Sequence, residues 1–218
     1  MHQTTLHFPQ IQLQRRDGHK LRGYFAQQFG DESDLFHNHD EGGKSIYRYP
    51  RIQYKIVSGV PMVVGLEEGA ELVIERFLRI KHLDIDGFRF FTDQKNMKSQ
   101  EHLIGVRGAL NEYEFVNPWM ALNQKNHTTY LQHSPEERKK QLEGILISNL
   151  ISFFKAVGHQ EAQRIMVSLS LKESRSTSFK DQQLLTFTGR FVVNVQLPDY
   201  IGLGKSVSRG FGTIRKVS

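Results

Sequence analysis

Residues 51–66 read RIQYKIVSGVPMVVGL, and this stretch sets the topology of the first half of the chain. Apolar residues alternate with polar ones over 52–56, which is typical of a strand with one buried face. A Ser-Gly turn follows at 58–59, and the apolar run at 61–66 has the length and composition of a partner strand. The stretch therefore predicts a β-hairpin.

Helices and further strands flank this hairpin on both sides. On its N-terminal side, alternation at 5–13 predicts a strand, and apolar residues at helical spacing after Asp17 predict a helix. On its C-terminal side, residues 67–80 predict an amphipathic helix, and strand character returns at 82–92. The predicted order through residue 93 is strand, helix, strand, strand, helix, strand, which is the ferredoxin-like unit.

The second half of the chain repeats this order less completely. A polar run at 93–101 separates the halves, and we predict that it is a linker. The clearest element is a helix at 135–157, because Ser134 and Glu137 form a capping-box signal ahead of a stripe of apolar residues.

Strand-like segments surround this long helix. One precedes it at 112–122, where Pro118 is expected at an edge or a bulge, and three follow it at 164–171, 183–189 and 190–197. The element order predicts an α+β protein with two tandem ferredoxin-like domains. The N-terminal domain is predicted at 1–93 and the C-terminal domain at 102–218.

The amino-acid composition limits the classes of function that we expect for this chain. The chain has 218 residues, no cysteine and a formal net charge of +6 at pH 7. A basic balance favours a polyanion such as nucleic acid, and an ordinary basic protein without such a partner is the alternative. Without cysteine there is no disulfide framework and no thiolate metal site. No apolar leader and no run of about 18–20 apolar residues is present, so we expect a cytoplasmic protein without a membrane partner.

A histidine pair stands in the polar stretch LFHNHDEGGKSIYRYP, residues 35–50. His37 and His39 are separated by one residue, so both would face the same side of an extended segment. Lys44 and Tyr47 follow. Imidazole suits proton transfer because its unperturbed pKa is about 6.5.

Two other interpretations of the pair stay open at this point. Histidines at this spacing also bind metals, and an acidic residue nearby would complete a tetrahedral site: Asp34, Asp40 or Glu41. A polar surface loop without any chemistry is the third interpretation.

Four glycines mark the C-terminal segment GLGKSVSRGFG, residues 202–212. They bracket Lys205 and Arg209, and backbone amides beside such cations predict a phosphate cradle. A dinucleotide fingerprint would need a helix after the loop, whereas the residues after 212 look extended. The loop therefore favours the backbone of a nucleic acid over a nucleotide cofactor, with an exposed glycine-rich turn as the alternative.

The spacing of this segment resembles the glycine-rich loop of the RAMP superfamily, with its G-x-G, five residues and G-F-G. The block from LFHNHDEGGKSIYRYP through GLEEGAELV, residues 35–73, is similar to one subgroup of the CRISPR repeat-processing endoribonucleases. That subgroup carries a His-x-His pair before a tyrosine. The two motifs lie at opposite ends of the chain, and the family fold is a pair of tandem ferredoxin-like domains.

The resemblance implies an endoribonuclease that cleaves precursor CRISPR RNA within the repeat, without a metal or other cofactor. Attack of a 2′-hydroxyl on the adjacent phosphorus would give a 2′,3′-cyclic phosphate and a 5′-hydroxyl. One of His37 and His39 is expected to act as the general base and the other as the acid or phosphate anchor. Tyr47 would orient groups, and Lys44 would neutralise charge in the transition state.

The partner that the resemblance implies is CRISPR repeat RNA, either single-stranded or as a hairpin. A second class of function uses the same fold: a non-catalytic RNA-binding subunit of an RNA-guided effector complex. A homodimer is a further expectation. The residues expected to bind RNA are Arg22, Arg48, Arg51, Gly202, Gly204, Lys205, Arg209, Gly210, Phe211 and Gly212.

Overall fold

The computed structural model describes residues 1–30, 33–36, 48–179 and 182–217, and the chain divides into two units. The first unit contains Met1–His102 together with Ser208–Gly210. The second contains Leu103–Val207 and Phe211–Ser218. Three residues of the glycine-rich loop thus belong to the first unit, although they come near the end of the chain.

The first unit has six strands and two helices among the described residues. The strands are β1 (His2–His7), β2 (Ile52–Val57), β3 (Val60–Leu66), β4 (His82–Ile85), β5 (Phe88–Phe91) and β6 (Asn96–Glu101). The helices are α1 (Gly18–Phe29) and α2 (Glu68–Leu72), and α2 continues as a π-helical turn over Val73–Phe77.

Four of these strands form one antiparallel sheet in the order β2-β3-β1-β6. The predicted hairpin is confirmed: Val57 pairs with Val60 across a two-residue turn in which Ser58 and Gly59 both have positive φ. Positive φ at both turn residues matches the right-handed twist of the flanking strands. The helices follow β1 and β3, as a split β-α-β unit requires.

The fourth strand of this sheet is not the predicted one. Residues 93–101, predicted to be a linker, contain β6, which pairs with β1 from His2↔Glu101 to His7↔Asn96. The segment at 82–92 instead forms a separate two-stranded sheet, β4-β5. Because β6 is an edge strand with mostly exposed side chains, it carries no apolar alternation that a sequence pattern could detect.

The core of the first unit lies between α1, α2 and one face of the sheet. Phe25 of α1 stacks on Tyr54 of β2 with ring centroids 5.4 Å apart and packs on Phe77 at 4.6 Å. All three side chains are fully buried. The apolar stripe predicted for α1 is therefore confirmed, and it joins the helix to the central hairpin.

Strand β2 is buried on both faces rather than on one. Tyr54 and Ile56 face the core, and on the opposite face Gln53 and Lys55 are fully shielded from solvent. Burial lowers the pKa of Lys55 to about 7. An alternating pattern cannot reveal this, because polar residues at alternate positions ordinarily indicate a solvent-facing side.

We expect Lys55 to make the stability of the protein depend on pH. An unfolded lysine has a pKa of about 10.4, so between pH 7 and 10 the unfolded chain holds the extra proton and stability rises with pH. Lys55→Met should remove this rise. Lys55→Met should be more stable than the wild type at pH 7. The difference in free energy of unfolding between the two proteins should shrink by about 2 kcal/mol between pH 7 and pH 9.

Urea unfolding followed by circular dichroism at several pH values measures this effect. Lys98→Met is the matched control, since Lys98 lies on β6 of the same sheet and is exposed. A Lys55→Met variant whose stability follows the wild type in parallel across this pH range would contradict the prediction.

The second unit contains four strands and two helices among its described residues. The strands are β7 (Gly105–Trp119), β8 (Val167–Phe179), β9 (Gln182–Gln196) and β10 (Ile214–Lys216). The helices are α3 (Gln124–Gln132) and α4 (Pro135–Ala156). The sheet order β10-β7-β9-β8 is the same ferredoxin-like order as in the first unit.

The differences from the prediction in this half are local. The segments at 183–189 and 190–197 form one strand, β9, which passes through Gly189 opposite Leu171. Pro118 lies within a register shift between β7 and β9, as expected. Helix α3 was not predicted. The glycine-rich loop occupies the position of the second helix, which explains why this half looked incomplete.

Helix α4 begins as its sequence predicts. The Ser134 side chain accepts a hydrogen bond from the Glu137 amide, and the Glu137 carboxylate accepts one from the Ser134 amide at 2.9 Å. Its apolar face, including Leu146, Leu150 and Phe153, is fully buried. In the described part of the chain, no helix is both long and apolar enough to cross a membrane.

Candidate nucleic-acid interface

The glycine-rich loop folds back on itself. Gly202 forms an isolated β-bridge with Thr213, and the Leu203 amide donates to the Gly212 carbonyl at 2.9 Å. Gly212 has φ of +62°, and a Cβ at this position would lie 1.9 Å from the Leu203 carbonyl oxygen. The two ends of the loop thus cross at a point where only glycine fits.

Several backbone amides of the loop are used inside the protein. The Lys205 amide donates to the Met120 carbonyl at 3.0 Å, and the Gly212 amide donates to the Pro118 carbonyl at 2.8 Å. These amides, together with that of Leu203, are committed to the fold. At these three positions the amides are bonded within the protein and do not form the expected phosphate cradle, and phosphate binding by the Lys205 and Arg209 side chains stays a prediction.

Arg209 lies against the beginning of α1 within the first unit. Its carbonyl oxygen is 2.6 Å from where a Cβ on Gly18 would stand, so the two backbones are in direct contact. Arg22 lies one turn further along the same helix. Burial lowers the pKa of Arg209, and the nearby positive charge of Arg22 lowers it further. Two predicted RNA-binding residues are therefore brought together.

The histidine segment starts from the other end of the same helix. Phe36, which directly precedes His37, is buried and packs on Phe29 and on Phe77 with ring centroids 5.4 and 6.0 Å away. Gly18 and Phe29 are the two ends of α1, a helix of about 16 Å at 1.5 Å per residue. Helix α1 therefore supports both Arg209 and the residue from which His37 extends.

The far end of the histidine segment is anchored as well. Pro50 is buried, and its carbonyl accepts a hydrogen bond from Gln53 Nε2 at 3.0 Å. The Arg51 carbonyl accepts from the Leu66 amide at 2.8 Å, and its guanidinium pairs with Glu68. Arg51 was predicted to bind RNA, but this ion pair competes for its charge.

The predicted catalytic residues themselves lie outside the described residues. These are His37, His39, Lys44 and Tyr47, and their roles stay predictions. Asp40 and Glu41, invoked for the metal alternative, lie there too. In the part of the chain that the structure describes, no three side chains of the metal-binding types come together.

The other predicted RNA-binding residues differ in exposure. Arg48 is exposed, whereas Lys205 and Phe211 are partly exposed and lie in the second unit. The glycines are mostly buried: Gly202, Gly210 and Gly212 are shielded, and Gly204 is partly exposed. The glycines therefore shape the loop, and side chains carry its charge. The contact between Arg209 and Gly18 joins distant parts of the sequence, and no local pattern signals it.

Two family models match the chain. The model of the Cas6b N-terminal domain matches residues 1–103, and the model of the Cas6b C-terminal domain matches residues 105–217.

Individual relatives agree with these matches. A solved structure of Cas6b is 36% identical with a TM-score of 0.93, and one of the CRISPR RNA processing endoribonuclease Cas6b is 32% identical with a TM-score of 0.79. Both comparisons cover 100% of each chain. An uncharacterized protein of Methanocaldococcus jannaschii is 32% identical over 145 residues, which are 66% of this chain and 97% of that protein.

Proposed function

The chain belongs to the Cas6b family of CRISPR RNA-processing endoribonucleases, and from this premise we propose that it cleaves precursor CRISPR RNA within the repeat by attack of a 2′-hydroxyl. The products are a 2′,3′-cyclic phosphate and a 5′-hydroxyl. The reaction needs no metal. In this proposal the first unit supplies the histidine segment together with Arg22 and Arg209.

The chemistry requires a base, an acid and positive charge. A base removes the proton of the 2′-hydroxyl, an acid protonates the departing 5′-oxygen, and cations stabilise the charge on the phosphate oxygens. His37 and His39 share the first two tasks, because a free imidazole titrates near pH 6.5 and is able to act in either direction. Lys44 supplies charge, and Tyr47 orients the reacting groups.

One observation carries the proposal: Arg209 and Arg22 adjoin at one end of α1, while Phe36 holds the start of the histidine segment at the other. A phosphate placed near both guanidinium groups would interact favourably with each positive charge. A ribose-phosphate strand running along α1 would lead from the arginines to Phe36, the residue that precedes the histidine segment. The span of about 16 Å fits a few nucleotides of an extended strand.

The decisive experiment incubates the protein with end-labelled repeat RNA in EDTA. Defined products with cyclic phosphate ends support the proposal. Binding without cleavage would support the non-catalytic RNA-binding subunit, and cleavage only in the absence of EDTA would support a metal site.

We expect Arg209→Ala to weaken the binding of repeat RNA about tenfold and to flatten its salt dependence. Loss of one phosphate contact should reduce the slope of log affinity against log salt by about 1. The measurement is a titration at several salt concentrations with RNA that carries a 2′-deoxy nucleotide at the cleavage site.

Arg164→Ala is the control for this measurement, since Arg164 is an exposed arginine in the loop before β8. It should leave both the affinity and the slope near the wild-type values. Equal slopes for wild type and Arg209→Ala would show that Arg209 contacts no phosphate.

A further inference from the structure

A cavity of about 350 Å³ lies beside the N-terminus of α1, within the first unit and apart from Arg209. One wall comes from the loop before the helix, and the other comes from the β4-β5 hairpin. Its lining residues are Gln12, Leu13, Gln14, Asp17, Ile85, Asp86, Phe88 and Phe90. Its volume falls at the lower end of the range for small-ligand sites, about 300–1,000 Å³.

Phe88 is a large aromatic side chain that is exposed to solvent at this cavity. It is 70% exposed, although it pairs with the buried Ile85 across the hairpin. An aromatic ring held at the rim of a cavity with one open face provides a surface on which a planar group stacks. Ile85 and the partly buried Phe90 supply an apolar floor behind this ring.

The opposite wall of the cavity is polar and fixed. The Lys20 ammonium lies 2.8 Å from Asp17 and also pairs with Asp86, so it joins the start of α1 to the hairpin turn. This double ion pair joins the two walls, and its single positive charge offsets one of the two carboxylate charges. Gln12 and Gln14 are exposed and present amide groups that match the donor and acceptor edges of a base.

Basic side chains surround the cavity on the outer surface of the helix. Arg15, Arg16 and His19 are exposed; the two arginines lie in the short turn just before α1, and His19 lies in its first turn. A strand that leaves the Arg22–Arg209 pair would cross these cations before it reaches Phe88. The charge therefore favours a polyanion over an apolar protein surface as the occupant.

We propose that this cavity binds a single unpaired nucleobase of the repeat RNA, with the base stacked on Phe88 and its edge hydrogen-bonded to the glutamine amides. This inference rests on the proposed function, because it concerns the RNA that the enzyme cleaves. Arg209 does not line the site, so we expect the site to read a nucleotide outside the reacting dinucleotide. It therefore contributes affinity and register and takes no part in the chemistry.

The test combines variants at Phe88 with single abasic substitutions in the repeat RNA. This RNA carries a 2′-deoxy nucleotide at the cleavage site, so that it is bound but not cleaved. Phe88→Ala should weaken binding of the intact RNA by roughly tenfold, since stacking of one base on an aromatic side chain has effects of this size. Phe88→Trp should restore it. At one position of the RNA, an abasic nucleotide should weaken binding to the wild-type protein by the same factor as Phe88→Ala does with intact RNA. The same abasic RNA should bind Phe88→Ala no more weakly than intact RNA does.

Phe91→Ala is the matched control. Phe91 is 64% exposed on the same strand, but it lies on the other face of the hairpin, opposite His82, and does not line the cavity. It should bind the intact RNA as the wild type does.

Three outcomes would overturn the inference: no abasic position coupled to Phe88, equal losses for Phe88→Ala and Phe91→Ala, or a changed oligomeric state of Phe88→Ala with unchanged RNA affinity. The last would assign the surface to a second copy of the chain. Cleavage of repeat RNA by the wild type in EDTA is measured in parallel. If the wild type cleaves the RNA but no abasic position is coupled to Phe88, only this inference is contradicted. If the wild type does not cleave the RNA, the proposed function is contradicted.

Discussion

Replacing His37 or His39 with alanine is expected to lower the single-turnover rate of repeat RNA cleavage by at least about 100-fold, with little change in RNA affinity. Each imidazole is proposed to transfer a proton in the transition state, and such transfers contribute roughly 10²–10⁴-fold in rate. In the proposed function, phosphate contacts made by arginines hold the RNA independently of these rings. The loss should therefore fall on the rate constant, and not on the dissociation constant.

The pH dependence of the rate gives a second readout of the same roles. A base and an acid that titrate near neutrality produce a bell-shaped profile for the wild type. Each single variant should lose one limb of that bell. His127→Ala is the control, since His127 lies on α3 and is only partly exposed. A variant at position 37 or 39 that retains the wild-type rate and profile would show that this histidine transfers no proton.

The anchoring of the histidine segment gives these expectations a structural basis. Phe36 is fixed among aromatic rings of the core, and the Arg51 backbone is tied to the end of β3. A segment held at both ends loses less conformational freedom when it binds a substrate than a free tail does.

Local sequence patterns predicted two of the helices and the central hairpin. Helix α4, helix α1 and the β2-β3 hairpin were predictable because a capping box, an apolar stripe and a two-residue turn each have a local cause. Strand β6 was missed because its main stabilisation is backbone pairing with β1, which any polar sequence provides. The buried Lys55 was missed because burial on the second face of β2 depends on tertiary packing.

The candidate site, too, was predicted from the sequence only in part. The glycine spacing predicted a phosphate cradle around Lys205 and Arg209, whereas the structure shows a tight backbone crossing there and places Arg209 near Arg22 of α1. Spacing alone could not tell which amides are free, and those of Leu203, Lys205 and Gly212 are bonded within the protein. The cavity at Phe88 left no signal, because its two walls come from segments far apart in the chain.

Gly212→Ala is expected to destabilise the second unit by about 3–4 kcal/mol and to weaken RNA binding. An alanine at φ of +62° is strained in itself, and its Cβ would stand 1.9 Å from the Leu203 carbonyl oxygen. Neither backbone yields easily, since the Gly212 amide is bonded to the Pro118 carbonyl and Leu203 is fully buried. The loop must therefore open, and the side chains that we propose to bind phosphate move with it.

The single tryptophan of the chain reports on this change. Trp119 is buried in the second unit and donates through Nε1 to Asn149 Oδ1 at 3.1 Å, close to the loop at Gly204. Its fluorescence during urea unfolding measures the stability of the unit that Gly212 belongs to. The control is Gly144→Ala, at an exposed position in α4 where a Cβ would meet nothing within 4 Å.

The two glycine variants should shift stability in opposite directions. Alanine within a helix stabilises the folded chain by roughly 0.5–1 kcal/mol relative to glycine, so Gly144→Ala should unfold at higher urea and bind RNA normally. If Gly212→Ala also unfolded at or above the wild-type urea concentration, the backbone crossing would be looser than its geometry indicates. The fixed position of Arg209 against α1, on which the proposed RNA path depends, would then lose its support.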